Sequence, residues 1–128
     1  MTPESTLQAL TAGLWYLSET DAPWTVLTPD AHADITEWMR AYAQLPADTP
    51  VSTRNWDTFL VFAATPQPWH TPEEQETARR YAELRAWIST HLHPVTVTAW
   101  GHIQVHLFLA GQTTDGQTLV LYTRAVET

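Results

Sequence analysis

Few side chains in this sequence have both the type and the spacing that chemistry needs. His102, Gln104 and His106 alternate along one stretch, and His91 and His93 stand just before Pro94. Histidines on one strand face could ligate a metal, yet no third ligand stands at a metal-site spacing. Ordinary histidines on a strand surface are the better reading. Glu19 and Asp21 could form an acid–base pair, but nothing nearby supplies the apolar pocket that would drive two carboxyl pKa values apart. A solvated acidic loop is expected there instead. Gly13, Gly101, Gly111 and Gly116 are scattered, so there is no glycine-rich phosphate loop, and no nucleophile elbow is present. The residues therefore offer no catalytic constellation, no cofactor and no metal site of the protein's own. What remains are contact groups: Glu19 with Trp24, the Pro66-Gln67-Pro68-Trp69 loop, and the ending Glu127-Thr128. Trp24 and Trp69 sit among turn residues, where partial exposure is expected, and tryptophan in a rigid loop is a favoured interface anchor.

The elements that would hold these groups follow from periodicity. From Val95 onward the chain reads as an antiparallel meander. Val95, Val97 and Ala99 alternate with polar residues, then Ile103, Val105, Leu107 and Leu109 do, and Leu119, Leu121, Thr123 and Ala125 form a return strand. Asp115-Gly116 marks the turn between the last two strands. A terminal carboxylate that directly follows a strand is a projecting group that a partner could grip. Pro72 to Leu92 is the strongest helix, opened by a Thr71-Pro72-Glu73-Glu74 capping box and striped by Tyr81, Leu84, Ile88 and Leu92. Leu7, Leu10, Leu14 and Leu17 predict a first helix that starts at Thr2-Pro3 and ends near Leu17. Ile35, Trp38, Met39 and Tyr42 predict another over about 31–43. Trp24–Leu27 is a brief strand candidate, and Trp56–Ala64 reads as a short helix capped by Asp57. Helices early and antiparallel strands late define an α+β layer protein.

The 128 residues are expected to form a single domain, 1–128. Fourteen acids stand against six arginines, lysine is absent, and the formal charge is −8. A direct nucleic-acid partner is excluded, because a phosphate backbone calls for cations. A partner protein with a basic surface is allowed. Without cysteine there are no disulfides or thiolate sites. No run approaches the roughly 20 apolar residues of a membrane span, and Glu4 is not how a signal peptide begins, so a cytoplasmic monomer is expected.

Read together, these stretches resemble the nuclease A inhibitor family, small proteins that inhibit magnesium-dependent, sugar-non-specific DNA/RNA nucleases. The resemblance is carried by Gly13-Leu14-Trp15-Tyr16-Leu17-Ser18-Glu19-Thr20 with Pro23, and by Ala64-Thr65-Pro66-Gln67 with Trp69. It is carried also by Gly111-Gln112-Thr113 with Gly116, and by the ending Val126-Glu127-Thr128. Residues 28–55 match poorly. The resemblance implies an α/β/α sandwich with a mainly antiparallel sheet, similar to the plant pathogenesis-related class 1 fold. It implies that Glu19 is the acidic contact of the first loop and Trp69 the aromatic contact. Thr128 would be the C-terminal residue that reaches the nuclease's metal centre. One position departs: the family has aspartate immediately before that tryptophan, where this sequence has Pro68, so one acidic contact is missing. Two other classes stay open, an interaction module with a non-nuclease partner and a small-ligand or metal-binding domain that uses His102 and His106.

Overall fold

The computed structural model describes residues 2–30 and 34–127, and its sheet is what the alternation demands. In chain order the elements are α1 (Pro3–Thr11), β1 (Trp15–Tyr16), β2 (Ala22–Pro23), β3 (Thr25–Leu27), α2 (Ile35–Tyr42) and β4 (Val51–Arg54). Then come α3 (Pro72–His91), β5 (Thr96–Trp100), β6 (Gln104–Gln112) and β7 (Thr118–Val126). Five strands pair antiparallel in the order β3-β7-β6-β5-β4, and β1 and β2 form a separate small ribbon. The β6–β7 ladder is the longest, running from Gln104 opposite Val126 to Gln112 opposite Thr118.

Period two then sorts side chains to two faces. Val105, Leu107 and Leu109 of β6, with Leu119, Leu121 and Ala125 of β7, join Leu7 of α1 and Tyr81, Leu84 and Ile88 of α3 in one core. Phe108, Ala110 and Val120 point the other way and pack with Met39 of α2, Trp100, Trp38 and Tyr122. Helices therefore cover both faces, α1 and α3 on one and α2 on the other. The fold is α+β, layered as an α/β/α sandwich.

The α3 start is the capping box: Glu74 N–H donates to Thr71 Oγ1 at 3.1 Å, and Thr71 N–H donates to Glu74 Oε1 at 2.9 Å. Two arginines of α3 tie down irregular chain. Arg80 Nη2 donates to the carbonyls of Leu10 and Ala12, groups that the end of α1 leaves without helical partners. Arg85 donates to the carbonyls of Trp56, Asp57 and Phe59, with its guanidinium 4.9 Å from the Trp56 ring centre.

Several expectations are corrected. The first helix stops at Thr11 rather than near Leu17, because Gly13 takes a φ of +70° that a helix cannot continue through. Leu14 is still buried, but Leu17 is 68 % exposed. Residues 56–64 are a run of turns and not a helix. Asn55, not Asp57, caps them, its Oδ1 accepting from Asp57 N–H at 2.9 Å, and Leu60 at φ +65° forbids regular helix. Strand β4 was not legible as a strand at all. The second helix begins at Ile35, with Asp34 accepting from Thr36 and Glu37 N–H; 31–33 lie outside the described residues. His102 lies in the bend before β6, so it does not share a strand face with His106.

The bend between β5 and β6 is also where a glycine is demanded. Gly101 sits at φ +101°, and a Cβ there would fall 2.3 Å from the Gln104 carbonyl oxygen. Gly101→Ala is expected to cost about 1–3 kcal/mol, read as a lower denaturation midpoint with an unchanged slope.

Candidate functional site

Two of the candidate contact groups, Glu19 and Glu127, are brought close together because side chains, not strands, join their loops. After β1 the chain turns through Ser18. Its hydroxyl donates to Thr20 O at 2.6 Å and accepts from Thr20 N–H at 3.2 Å and from Val126 N–H at 3.1 Å. Glu19 N–H donates in turn to Val126 O at 3.3 Å. The first acidic loop and the end of β7, 108 positions apart in the chain, are thus bracketed against each other.

Glu127 follows directly. Its N–H donates to Ile103 O at 2.8 Å. Its carboxylate accepts two bonds from Arg54, at 2.7 Å from Nη2 and 3.0 Å from Nη1, the paired geometry that suits a guanidinium. Hydrogen bonds from Arg54 hold the Glu127 carboxyl below the usual carboxylate range. The lowered value fixes the sign of the pH dependence. The pair is fully formed above the ordinary glutamate range and is lost as pH falls through the lowered pKa. Tyr16 lies beside the pair, its hydroxyl pKa raised mainly by burial. Its ring stacks on Phe59 with centroids 6.2 Å apart. Thr128 lies outside the described residues.

Trp69 stands in the loop that leads into α3. Gln67 to His70 form a turn closed by His70 N–H to Gln67 O at 3.1 Å, with Gln67 N–H donating to His70 Nδ1 at 3.1 Å. Pro68 sits at the second position of that turn, where its fixed φ is already correct. Trp69 occupies the third position and is 72 % exposed. The residue after it, His70, lines a cleft of about 440 Å3 together with Tyr16, Leu17, Phe62, Ala78 and Tyr81. Phe62, at 76 % exposed, and Leu17 leave this cleft with an apolar mouth. Exposed apolar side chains gathered around one concavity mark a contact surface.

Trp24 is not part of that surface. It is 7 % exposed, and its indole N–H donates to Tyr81 Oη at 3.0 Å. Tyr81 Oη donates to Trp15 O at 2.5 Å, and burial pushes its pKa up to about 12. The expectation of an exposed Trp24 fails because the core covers it; the residue supports the β1–β2 ribbon from beneath. His106 likewise turns to its own sheet, stacking on Tyr122 with Nδ1 2.7 Å from its hydroxyl, and burial lowers its pKa. Among the described residues no group of three or more His, Asp or Glu side chains is placed to hold a metal ion, and no helix is long and apolar enough to cross a membrane.

Leu17, Ser18, Arg54 and Phe62 were not singled out by sequence reasoning. Ser18 and Leu17 lay inside the stretch Gly13–Thr20 that carried the resemblance, so a signal was there. Arg54 and Phe62 had none, because their importance comes from partners distant in sequence.

An α/β/α sandwich with an apolar-mouthed cleft, an exposed tryptophan and an acidic loop bracketed to a strand end offers surface for a protein partner. The chain belongs to the NuiA family of nuclease A inhibitor-like proteins, whose family model matches residues 3–128. No curated protein matches it. That family description implies a non-enzymatic role with a nuclease, in general, as the protein partner.

Proposed function

We propose that this protein inhibits a magnesium-dependent, sugar-non-specific nuclease by placing Glu19, Trp69 and Thr128 against the enzyme's active-site groove. The observation that carries the reading is the bracket between Ser18-Glu19 and Val126-Glu127, which holds the first acidic loop beside the end of β7. A nuclease that accepts DNA and RNA presents a basic groove, and a chain of formal charge −8 without lysine is attracted into it. Thr128 then offers hard oxygen atoms near the magnesium, where the scissile phosphate would sit. Glu19 meets the basic wall of the groove, and Trp69 supplies apolar anchoring. The inhibitor acts as a single-domain cytoplasmic monomer in a one-to-one complex and needs no cofactor of its own. The enzyme brings the metal.

Titrating a magnesium-dependent non-specific nuclease with the protein should give stoichiometric loss of activity, steeper at low salt. Full activity at equimolar protein would remove the reading and point to a partner of another kind. Trp69→Ala is expected to weaken the complex about thirtyfold, near 2 kcal/mol, without changing the inhibitor's melting temperature, because the ring is exposed in the free protein. Calorimetric titration beside thermal denaturation of the free variant checks both halves.

A further inference from the structure

The end of the chain is restrained beyond the point where the sheet requires it. The β6–β7 ladder closes at Gln104 opposite Val126, so pairing alone fixes the backbone only to residue 126. Terminal residues past a last ladder pair normally fray. Here residue 127 is fastened twice more, by its N–H to Ile103 O and by its carboxylate to the Arg54 fork. Arg54 is the last residue of β4, an edge strand on the far side of the sheet from β7 in strand order. Its side chain crosses to an acid 73 positions away.

Stability does not account for this pair. Both side chains are about a third exposed, 32 % for Arg54 and 37 % for Glu127. Ion pairs that wet contribute little to folding. The planar fork, by contrast, fixes direction, because two parallel bonds allow the carboxylate one orientation.

We propose that Arg54 is a positioning residue for the inhibitory end of the chain: its fork holds Glu127 in place beyond the last ladder pair. The inference rests on the reading of Thr128 as the group that reaches the nuclease's metal. It changes the part given to Glu127, from a side chain that touches the nuclease to one that holds the end of the chain. A chain end held in place loses less conformational freedom on binding than a frayed one, which tightens the complex without adding a contact.

Four variants of the full chain test it: Arg54→Ala, Arg54→Lys, Glu127→Gln, and the exchange Arg54→Glu with Glu127→Arg. Arg54→Ala and Glu127→Gln should each weaken nuclease binding about tenfold with the melting temperature nearly unchanged. Arg54→Lys should recover part of the loss, since an ammonium restores charge but not the fork. The exchanged pair should recover most of it. An exchanged pair as weak as Glu127→Gln would mean that Glu127 touches the nuclease itself, and the proposal would be overturned. The 15N heteronuclear NOE of Glu127 in the free protein supplies a reading that needs no nuclease. It should be high in the wild type and fall in Arg54→Ala; equal values in both would also overturn the proposal. If the wild type failed to inhibit while this NOE difference held, the metal-centre reading of Thr128 would fail and the positioning role would stand.

Discussion

An inhibitor carrying a four-residue glycine-serine tail after Thr128 is expected to bind its nuclease at least about a hundredfold more weakly, a loss near 2.7 kcal/mol. Its melting temperature should not move. The large effect follows from what magnesium demands. The ion takes oxygen ligands at about 2.0–2.1 Å in near-octahedral order, and it gives up bound water reluctantly. A tail converts the carboxylate of Thr128 into an amide and adds four residues to the end that is proposed to enter the groove. The folded body is untouched, because the ladder closes at Val126 and the bonds of Glu127 precede the addition. Inhibition curves for the tailed protein, the wild type, a form lacking Thr128 and Thr128→Val check the point. The valine variant keeps the carboxylate and removes the hydroxyl, so it separates the two oxygen sources. Wild-type inhibition by the tailed form would sink the terminal mechanism and leave Glu19 and Trp69 to carry the contact.

How far the sequence foretold this arrangement depended on how local the governing interactions were. The α3 start was legible because its capping box spans four residues and needs nothing from elsewhere. The β5–β7 meander was legible because one face of each strand is buried and the alternation records it. The end of the first helix at Gly13 was not legible, since Leu14 and Leu17 kept the apparent stripe going. In the fold, Leu14 reaches the core from the turn after the helix. Strand β4 was invisible for a different reason. Its residues Val51, Ser52 and Thr53 are exposed and show no alternation, and only pairing with β5 makes them a strand. Trp24 lies between Pro23 and a short strand, so turn residues suggested a surface position. What buries it is Tyr81, 57 positions later. At the candidate site, Glu19 and Trp69 were legible as exposed groups in loops. That Ser18 would bracket Val126 and Arg54 would hold Glu127 was not, because a hydrogen bond between distant loops leaves no period in a sequence. The link between the first loop and the end of the chain came from the family resemblance alone.

The opposite face of the sheet should answer to mutation in the opposite way. Phe108 is fully buried at the middle of β6, with ring centroids 4.9 Å from Tyr122, 6.3 Å from Tyr42 and 6.4 Å from Trp38. Trp38 and Tyr42 belong to α2, a helix of eight residues. A helix that short does not hold itself in water, so its stability comes from the apolar face it sets against the sheet. Phe108→Ala removes the ring that Trp38 and Tyr42 meet edge-on and leaves a cavity between layers. The expected cost is about 3–5 kcal/mol, a large share of what a domain of this size has. A fall of roughly 10–20 °C in the melting temperature should follow. Affinity for the nuclease, measured well below that temperature, should stay within about threefold of wild type. The reason is the sheet itself: Phe108 and α2 form one core, while Tyr16, Phe59 and Tyr81 beneath the proposed contact end belong to the other or pack against it. Phe108→Leu keeps most of the volume and should restore most of the stability. A collapse of affinity in a variant that is still folded would place α2 in the complex. It would also give α2 and the residues that follow it a part in choosing the partner.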